Sequence, residues 1–438
     1  MKNKAAALVV AGALAPALLM AQHEAVERGV NDLFRTAEAH NATLQSCRAA
    51  VTEADAAIQS AKTDRLPEIS GQASFSYNGN GRVWDRDFSN GMGVDIPHYG
   101  NNFALKASQV VYAGGAIDAG IRLAEQSADM ARLSAREQKE QVRFLLVGLY
   151  LQLHNLQNQS LVYDSNAKLA EDLIAQMKNR REQGVALRND VTRYELQHEQ
   201  MLLGQTQTDD RLRILSHQLA TALGTDTTVN LLPSSAFDDE ALQTLGGEDV
   251  WQERAGNQHV SLQKGQLAVE MSRTQEKLER SALLPKVSLF AEDYLVGPVT
   301  IEIPALNNNF NYWYVGVGIS YNFSSLFKNN RKVRQAKLAT QTATANLEAA
   351  RRAVDDAVQQ AYVSYLTAQS ELRTQRKSVE LAQQNYDVIS NRYTNGLALV
   401  TDLTDAASMK LDAELALANA RINLVYSYYA LKYAAGQL

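Results

Sequence analysis

The sequence predicts a mainly α-helical chain with a small membrane β portion: long antiparallel coiled-coil helices joined to four transmembrane β-strands. Three observations predict it. The stretch Asn311 to Phe323 alternates like a membrane strand, two proline-free stretches are too long for the helices of a globular domain, and the whole pattern occurs twice. In the first of these, Trp313, Val315, Val317, Ile319, Tyr321 and Phe323 share one face, and Tyr314, Gly316, Gly318, Ser320 and Asn322 share the other. Aromatics at both ends of a small apolar middle suit a bilayer, where Trp and Tyr sit at headgroup level and Val and Ile face the lipid tails. The length also fits the roughly 9–11 residues that a tilted membrane strand needs.

Residues 1–21 read as an export signal: Lys2 and Lys4, an apolar run from Ala5 to Leu19, and a cleavage site at Leu19-Met20-Ala21. No later window approaches the ~20 apolar residues of a spanning helix, so any membrane entry is by strands. The single cysteine, Cys47, excludes an intrachain disulfide framework and reads as a small packing residue in a helix. The net charge is −5, with both signs alternating along the chain. No clustered basic face points to nucleic acid.

In order, Asn31 to Arg65 is expected to be helical and to end at Pro67. Ile69 to Tyr77 alternates as a strand, Asn78 to Asn101 is a polar loop, and Phe103 to Tyr112 returns as the second strand of a hairpin. Ala116 to Gln183 lacks proline, and a helix of that span is about 100 Å long. Gly184 stops it, and a second helix runs from Asn189 to Gly224. Residues 22–224 form the first repeat, and 225–247 a linker or equatorial segment. Residues 248–438 form the second repeat: a helix from Glu248 to Leu284, a hairpin over 287–323, a long helix from Asn330 to Asn395, a stop at Gly396 and a returning helix from Thr401. A shift of 212 positions superposes Tyr150 on Tyr362, Gly184 on Gly396, Asp190 on Asp402 and Gly224 on Gly436, whereas Pro67 and Pro285 differ by 218.

Val358, Tyr365, Leu372, Val379, Tyr386 and Tyr393 recur every seven residues, the period of helices that wind around a partner. Four strands cannot close a barrel and open edges are not tolerated in lipid, so at least two chains share one barrel; these patterns do not choose between two and three.

Arg392 to Ala406 reads RYTNGLALVTDLTDA, and Glu414 to Leu438 reads ELALANARINLVYSYYALKYAAGQL. With the twofold strand–strand–long helix–Gly turn–helix order, these segments resemble the TolC family of outer-membrane efflux proteins over residues 25–438. The resemblance implies a homotrimer in the outer membrane of a Gram-negative bacterium, with a shared twelve-stranded β-barrel and a hollow α-barrel extending into the periplasm. It implies work with outer-membrane lipid, a periplasmic adaptor (membrane fusion) protein and an inner-membrane transporter, in tripartite efflux or type I secretion. The other reading is a non-conducting periplasmic coiled-coil adaptor or structural spacer, which has no need of lipid-facing strands.

Asp402 and Asp405 share one face at a helix start, where carboxylates compensate the helix dipole. In a trimer the resemblance makes them a cation-attracting pore constriction, six carboxylates around one axis. It likewise implies a tip hydrogen-bond network between Asp190 and Tyr393, although Ala398 stands where the best-known members carry an arginine of the closing network; Arg188 or Arg193 could stand in for it. The turns Gly184, Val185, Leu187 and Gly396, Leu397, Leu399 expose small and apolar residues suited to docking the adaptor. Phe75, Tyr77, Phe103, Trp313, Tyr321 and Phe323 are expected at the membrane interfaces. No catalytic, cofactor or metal site is expected: Tyr112-Ala113-Gly114-Gly115 lacks the Lys-Ser/Thr of a phosphate loop. The histidines show no ligand spacing, and His198 and His217 read as solvated.

Overall fold

The computed structural model describes residues 26–225, 231–233, 245–302 and 305–438. The export signal and most of the 225–247 linker lie outside these residues. In chain order the elements are β1 (Val26–Arg28), α1 (Val30–His40), α2 (Ala42–Lys62), β2 (Glu68–Tyr77), β3 (Gly81–Val83), β4 (Met92–Val94), β5 (Tyr99–Tyr112), α3 (Ala116–Glu182) and α4 (Arg188–Leu223). They continue with β6 (Leu231–Pro233), α5 (Glu248–Gln258), α6 (Val260–Ser281), β7 (Lys286–Gly297), β8 (Phe310–Ser320), α7 (Ser325–Thr394) and α8 (Val400–Ala434).

The two long helices are real and uninterrupted: α3 has 67 residues and α7 has 70, each about 100 Å at 1.5 Å per residue. Each is followed by a tight turn and an antiparallel partner about half as long. Five of the six heptad residues of α7 are buried, and Val379 is half-buried. A second seam, Val354, Ala361, Ala368, Ala382 and Ile389, runs beside it at four-residue offset, completing a coiled-coil stripe that the single-register reading missed. The largest core lies at mid-length, where Leu146, Tyr150 and Leu153 of α3 meet Leu219 and Leu223 of α4, Tyr365 and Leu372 of α7, and Leu424 and Tyr428 of α8. Leu33 and Ala37 of α1 close it from outside.

Two expected helices are each broken in two. The first splits at Asn41 and the second at His259, residues 218 apart, each extended (ψ 125° and 124°) and each capping the helix that follows. Asn41 Oδ1 accepts from the Leu44 amide at 3.0 Å, and its Nδ2 donates to the Ala222 carbonyl at 2.7 Å. His259 Nδ1 accepts from the Ser261 amide at 3.2 Å. Neither proline nor glycine marks these breaks, so local sequence concealed them. Burial holds the His259 imidazole below its ordinary value of 6.5, Glu137 partly opposing this and Arg136 adding to it. A neutral ring is also what the cap requires, because a protonated Nδ1 cannot accept. The unfolded chain therefore binds the proton more readily, and this cap's contribution is full above pH 6.5 and declines as pH falls below it. We expect His259→Asn to retain the cap and to flatten the loss of stability between pH 7.5 and 5, read from paired denaturation curves.

His198 is largely covered and faces Glu171 at 3.4 Å rather than standing in solvent, because α3 and α4 pack side by side there. Cys47 is half-buried within α2, as a packing residue would be. Among the described residues no helix is long and apolar enough to cross a membrane.

Candidate functional site: the sheet and the helical tip

The four strands form one antiparallel sheet in the order β2-β5-β7-β8, so the two hairpins lie side by side and β2 and β8 are its edges. The strands contain 10, 14, 12 and 11 residues. At a tilt of about 40° such lengths cover a lipid-facing band of roughly 25 Å. β8 ends at Ser320, so the extended run is shorter than the sequence suggested; Tyr321 and Phe323 fall in the turn into α7, where the Asn322 carbonyl and side chain begin the helix.

Register assigns the two faces. Ala73 pairs with Phe103, Phe103 with Leu295, Ala291 with Val315 and Leu289 with Val317, so these residues share one face with Ile69, Leu105, Trp313 and Ile319. Val315, Val317 and Ile319 are 67%, 63% and 74% exposed, a hydrophobic surface with no protein cover in the single chain. Phe75, Tyr77 and Trp313, with Phe103 beside them, rim this face at the hairpin end, together with Tyr99, which the sequence reading missed. Tyr321 and Phe323 pack ring to ring at 5.0 Å at the opposite end, and Phe323 is exposed. The other face carries Ser70, Gln72, Ser74, Asn102, Lys106, Ser108, Ser288 and Glu292. One apolar face, one polar face and two unpaired edges are the features that a share of a membrane barrel requires.

The loop expected over 78–101 contains a further small hairpin, β3 with β4, and β5 begins at Tyr99 rather than Phe103. The extra pairing arises because Tyr77 and Tyr99 face one another across the strands, their rings 5.9 Å apart.

At the far end of the long helices, α3 and α7 stop in the same way. Gly184 (φ 79°) and Gly396 (φ 72°) adopt the left-handed conformation; the Val185 amide donates to the Arg180 carbonyl and the Leu397 amide to that of Arg392, at 3.0 and 2.8 Å. Val185, Leu187, Leu397 and Leu399 are left exposed at the tip. The partner helices then start alike: Asp190 Oδ2 accepts from the Leu187 amide and Asp402 Oδ2 from the Leu399 amide, both at 2.9 Å. Asp402 and Asp405 are exposed and neighbouring on the α8 surface. The duplication breaks at Asp405, whose equivalent is Arg193.

Tyr393 is buried at the tip, but its hydroxyl donates to Met177 Sδ at 2.9 Å, while Asp190 caps its own helix. Arg180 lies over the Tyr393 ring, 4.9 Å from its centroid. Burial raises the Tyr393 phenol, Arg180 opposing and Asp190 adding to the rise. The interaction joining first and second hairpins here is thus a cation on a ring plus a hydroxyl on a thioether. Tyr194, fully buried beside Leu403 and Ala406, completes this small core, and Lys410 covers Tyr386 at 5.1 Å. Sequence reasoning missed Arg180, Met177 and Tyr194; only Arg180, near the stop glycine, offered a local signal.

The outer membrane efflux protein family matches the chain twice, over residues 33–225 and 251–437, which are the two repeats. TolC of Vibrio cholerae is 24% identical over 420 residues, covering 93% of this chain and 90% of that protein. BepC of Brucella suis, an outer membrane efflux protein, is 20% identical over 433 residues, covering 98% and 90%. A shorter alignment with TolC of Salmonella enteritidis, 25% identical, spans 42% of this chain and only 38% of that protein. Among solved structures, CusC superposes with a TM-score of 0.80 at 15% identity over 94% of this chain and 92% of its own. The outer-membrane channel OprN gives 0.76 at 20% identity over 93% and 90%. With both repeats accounted for, and with a sheet shaped for the Gram-negative outer membrane, the chain belongs to the outer membrane efflux protein family.

Proposed function

We propose that three copies of this chain form a passive duct across the outer membrane and periplasm. The observation that carries this reading is the sheet with one lipid face, one polar face and two unpaired edges. β2 and β8 run in opposite directions, so β8 of one copy can pair antiparallel with β2 of the next, and every copy adds an even number of strands. Three copies give the twelve-stranded barrel that the family resemblance implies. Energy and selectivity come from an inner-membrane transporter and a periplasmic adaptor, which docks at the exposed Val185, Leu187, Leu397 and Leu399 turns.

The tip opens by separating the hairpins, and the Arg180–Tyr393 contact holds the closed arrangement in place of the arginine absent at Ala398. Asp402 and Asp405 line the constriction. Capping explains one oxygen of Asp402 and leaves Asp405 free of any such duty, so Asp405 is the stronger pore candidate. In a planar bilayer the purified protein should conduct in small cation-selective steps, and Asp402→Ala/Asp405→Ala should enlarge the steps and lose the selectivity. Identical conductance in both would return the aspartates to helix-end electrostatics. A protein that never inserts would favour the spacer reading.

A further inference from the structure

On the polar face of the sheet, near its hairpin end, the rings of Tyr294, Tyr312 and Tyr314 lie within 12° of parallel. Their centroids are 5.3, 6.1 and 6.3 Å apart. Near-equal sides make this a patch of rings rather than a column. Tyr294 comes from β7 and the other two from β8, and the register that pairs Tyr294 with Tyr312 and Glu292 with Tyr314 assembles it. Both Tyr314 and Tyr294 donate their hydroxyls to Glu292 Oε2, the former at 2.8 Å, so the rings are held at their rims by one carboxylate. Lys106, paired across β5 with Glu292, places its ammonium 5.4 Å from the Tyr294 centroid.

The wall beyond the patch is shaped differently. Phe290 meets Tyr314 edge-on at 80° and lies across Gly316, where an added Cβ would come within 2.7 Å of its ring. Glycine at that place lets Phe290 lie close to the wall. Tyr312 and Tyr314, 39% and 41% exposed, are left as accessible aromatic surface together with Phe310, which is 55% exposed and stacks on Tyr312 at 5.2 Å.

Resting on the reading that this face lines a conducting barrel, we propose that the tyrosine patch is a lumenal binding station for planar aromatic cations. Its ring faces offer stacking and cation–π attraction, and Glu292 adds a negative centre. Lys106 already occupies the Tyr294 face with a positive charge and acts as a tethered competitor that keeps residence short. A duct needs this: a guest must be attracted enough to enter and held weakly enough to leave.

The test is single-channel block of the trimer by ethidium, with hydrated Mg²⁺ as a cation that cannot stack. In the Tyr312→Leu/Tyr314→Leu variant, ethidium dwell time should fall about tenfold, as expected for losing one to two stacking partners. In Lys106→Met it should lengthen severalfold, and by more than any rise in Mg²⁺ block. An unchanged ethidium dwell in the tyrosine variant, or equal gains for ethidium and Mg²⁺ in Lys106→Met, overturns the station while leaving the duct intact. A wild-type protein that never conducts overturns both. Should the double variant fail to insert, Lys106→Met decides alone.

Discussion

A lysine in place of Val317 should abolish assembly of the protein in the outer membrane. Val317 pairs with Leu289 at the middle of the apolar face and is 63% exposed in the single chain. A lysine at the bilayer midplane of a membrane barrel costs about 2–4 kcal/mol, and three copies would each carry one. The same residue placed on the opposite face should be tolerated, because that face already carries polar and charged side chains, Lys106 among them; Ser74→Lys, mid-strand in β2 opposite Asn102, is the matched control. Membrane fractionation, followed by light scattering of the detergent extract, checks both. Loss of trimer in Val317→Lys with retention in Ser74→Lys is the expected pair. Equal tolerance would mean that neither face meets lipid, and the sheet would need another explanation.

Of the glycines that end the four hairpin helices, Gly224 should be the least replaceable. All four adopt positive φ, from 69° to 79°, where a side chain costs roughly 1–2 kcal/mol. At the tips, Gly184 and Gly396 face open space, so alanine there should cost only that amount. At mid-length a Cβ on Gly224 would stand 2.4 Å from the His40 carbonyl oxygen, and one on Gly436 2.9 Å from His259 Cα. Backbone on both sides leaves little room to yield, and overpacking adds about 1–3 kcal/mol. Gly224→Ala should therefore lose about 3 kcal/mol or more, against about 1–2 for Gly184→Ala, in denaturation of the same detergent preparation. Equal losses would show that conformation alone, and not the helix junction, governs these sites.

The Gly224 contact also shows why some of the fold was legible and some was not. Element type was readable wherever the physics is local. The long helices follow from absent proline, their ends from Gly184 and Gly396, and the strand faces from alternation, since side chains in a strand change face at every residue. The duplication was readable because both halves meet the same constraints. The place of Asp402 at a helix start, where a carboxylate compensates the dipole, was readable; that it also caps the helix by accepting from the Leu399 amide, as Asp190 does from Leu187, came from the structure.

What the tertiary structure alone decided involves partners far apart in sequence. The breaks at Asn41 and His259 resemble ordinary helix interior; they are stable because Asn41 binds the Ala222 carbonyl and His40 packs on Gly224, more than 180 residues away. Tyr393 could be placed at the tip from sequence, but its choice of Met177 and Arg180 over Asp190 depends on how two hairpins pack. Strand order and register likewise belong to the assembled sheet, and with them the tyrosine patch, because a shift of one residue would turn Tyr312 and Tyr314 to the lipid face. The sequence by itself thus determined the elements, their duplication and their polarity, all properties of neighbours along the chain. Only the folded chain decided the junctions, the tip contacts and the surface of the polar sheet face, because each depends on distances between segments that no local pattern encodes.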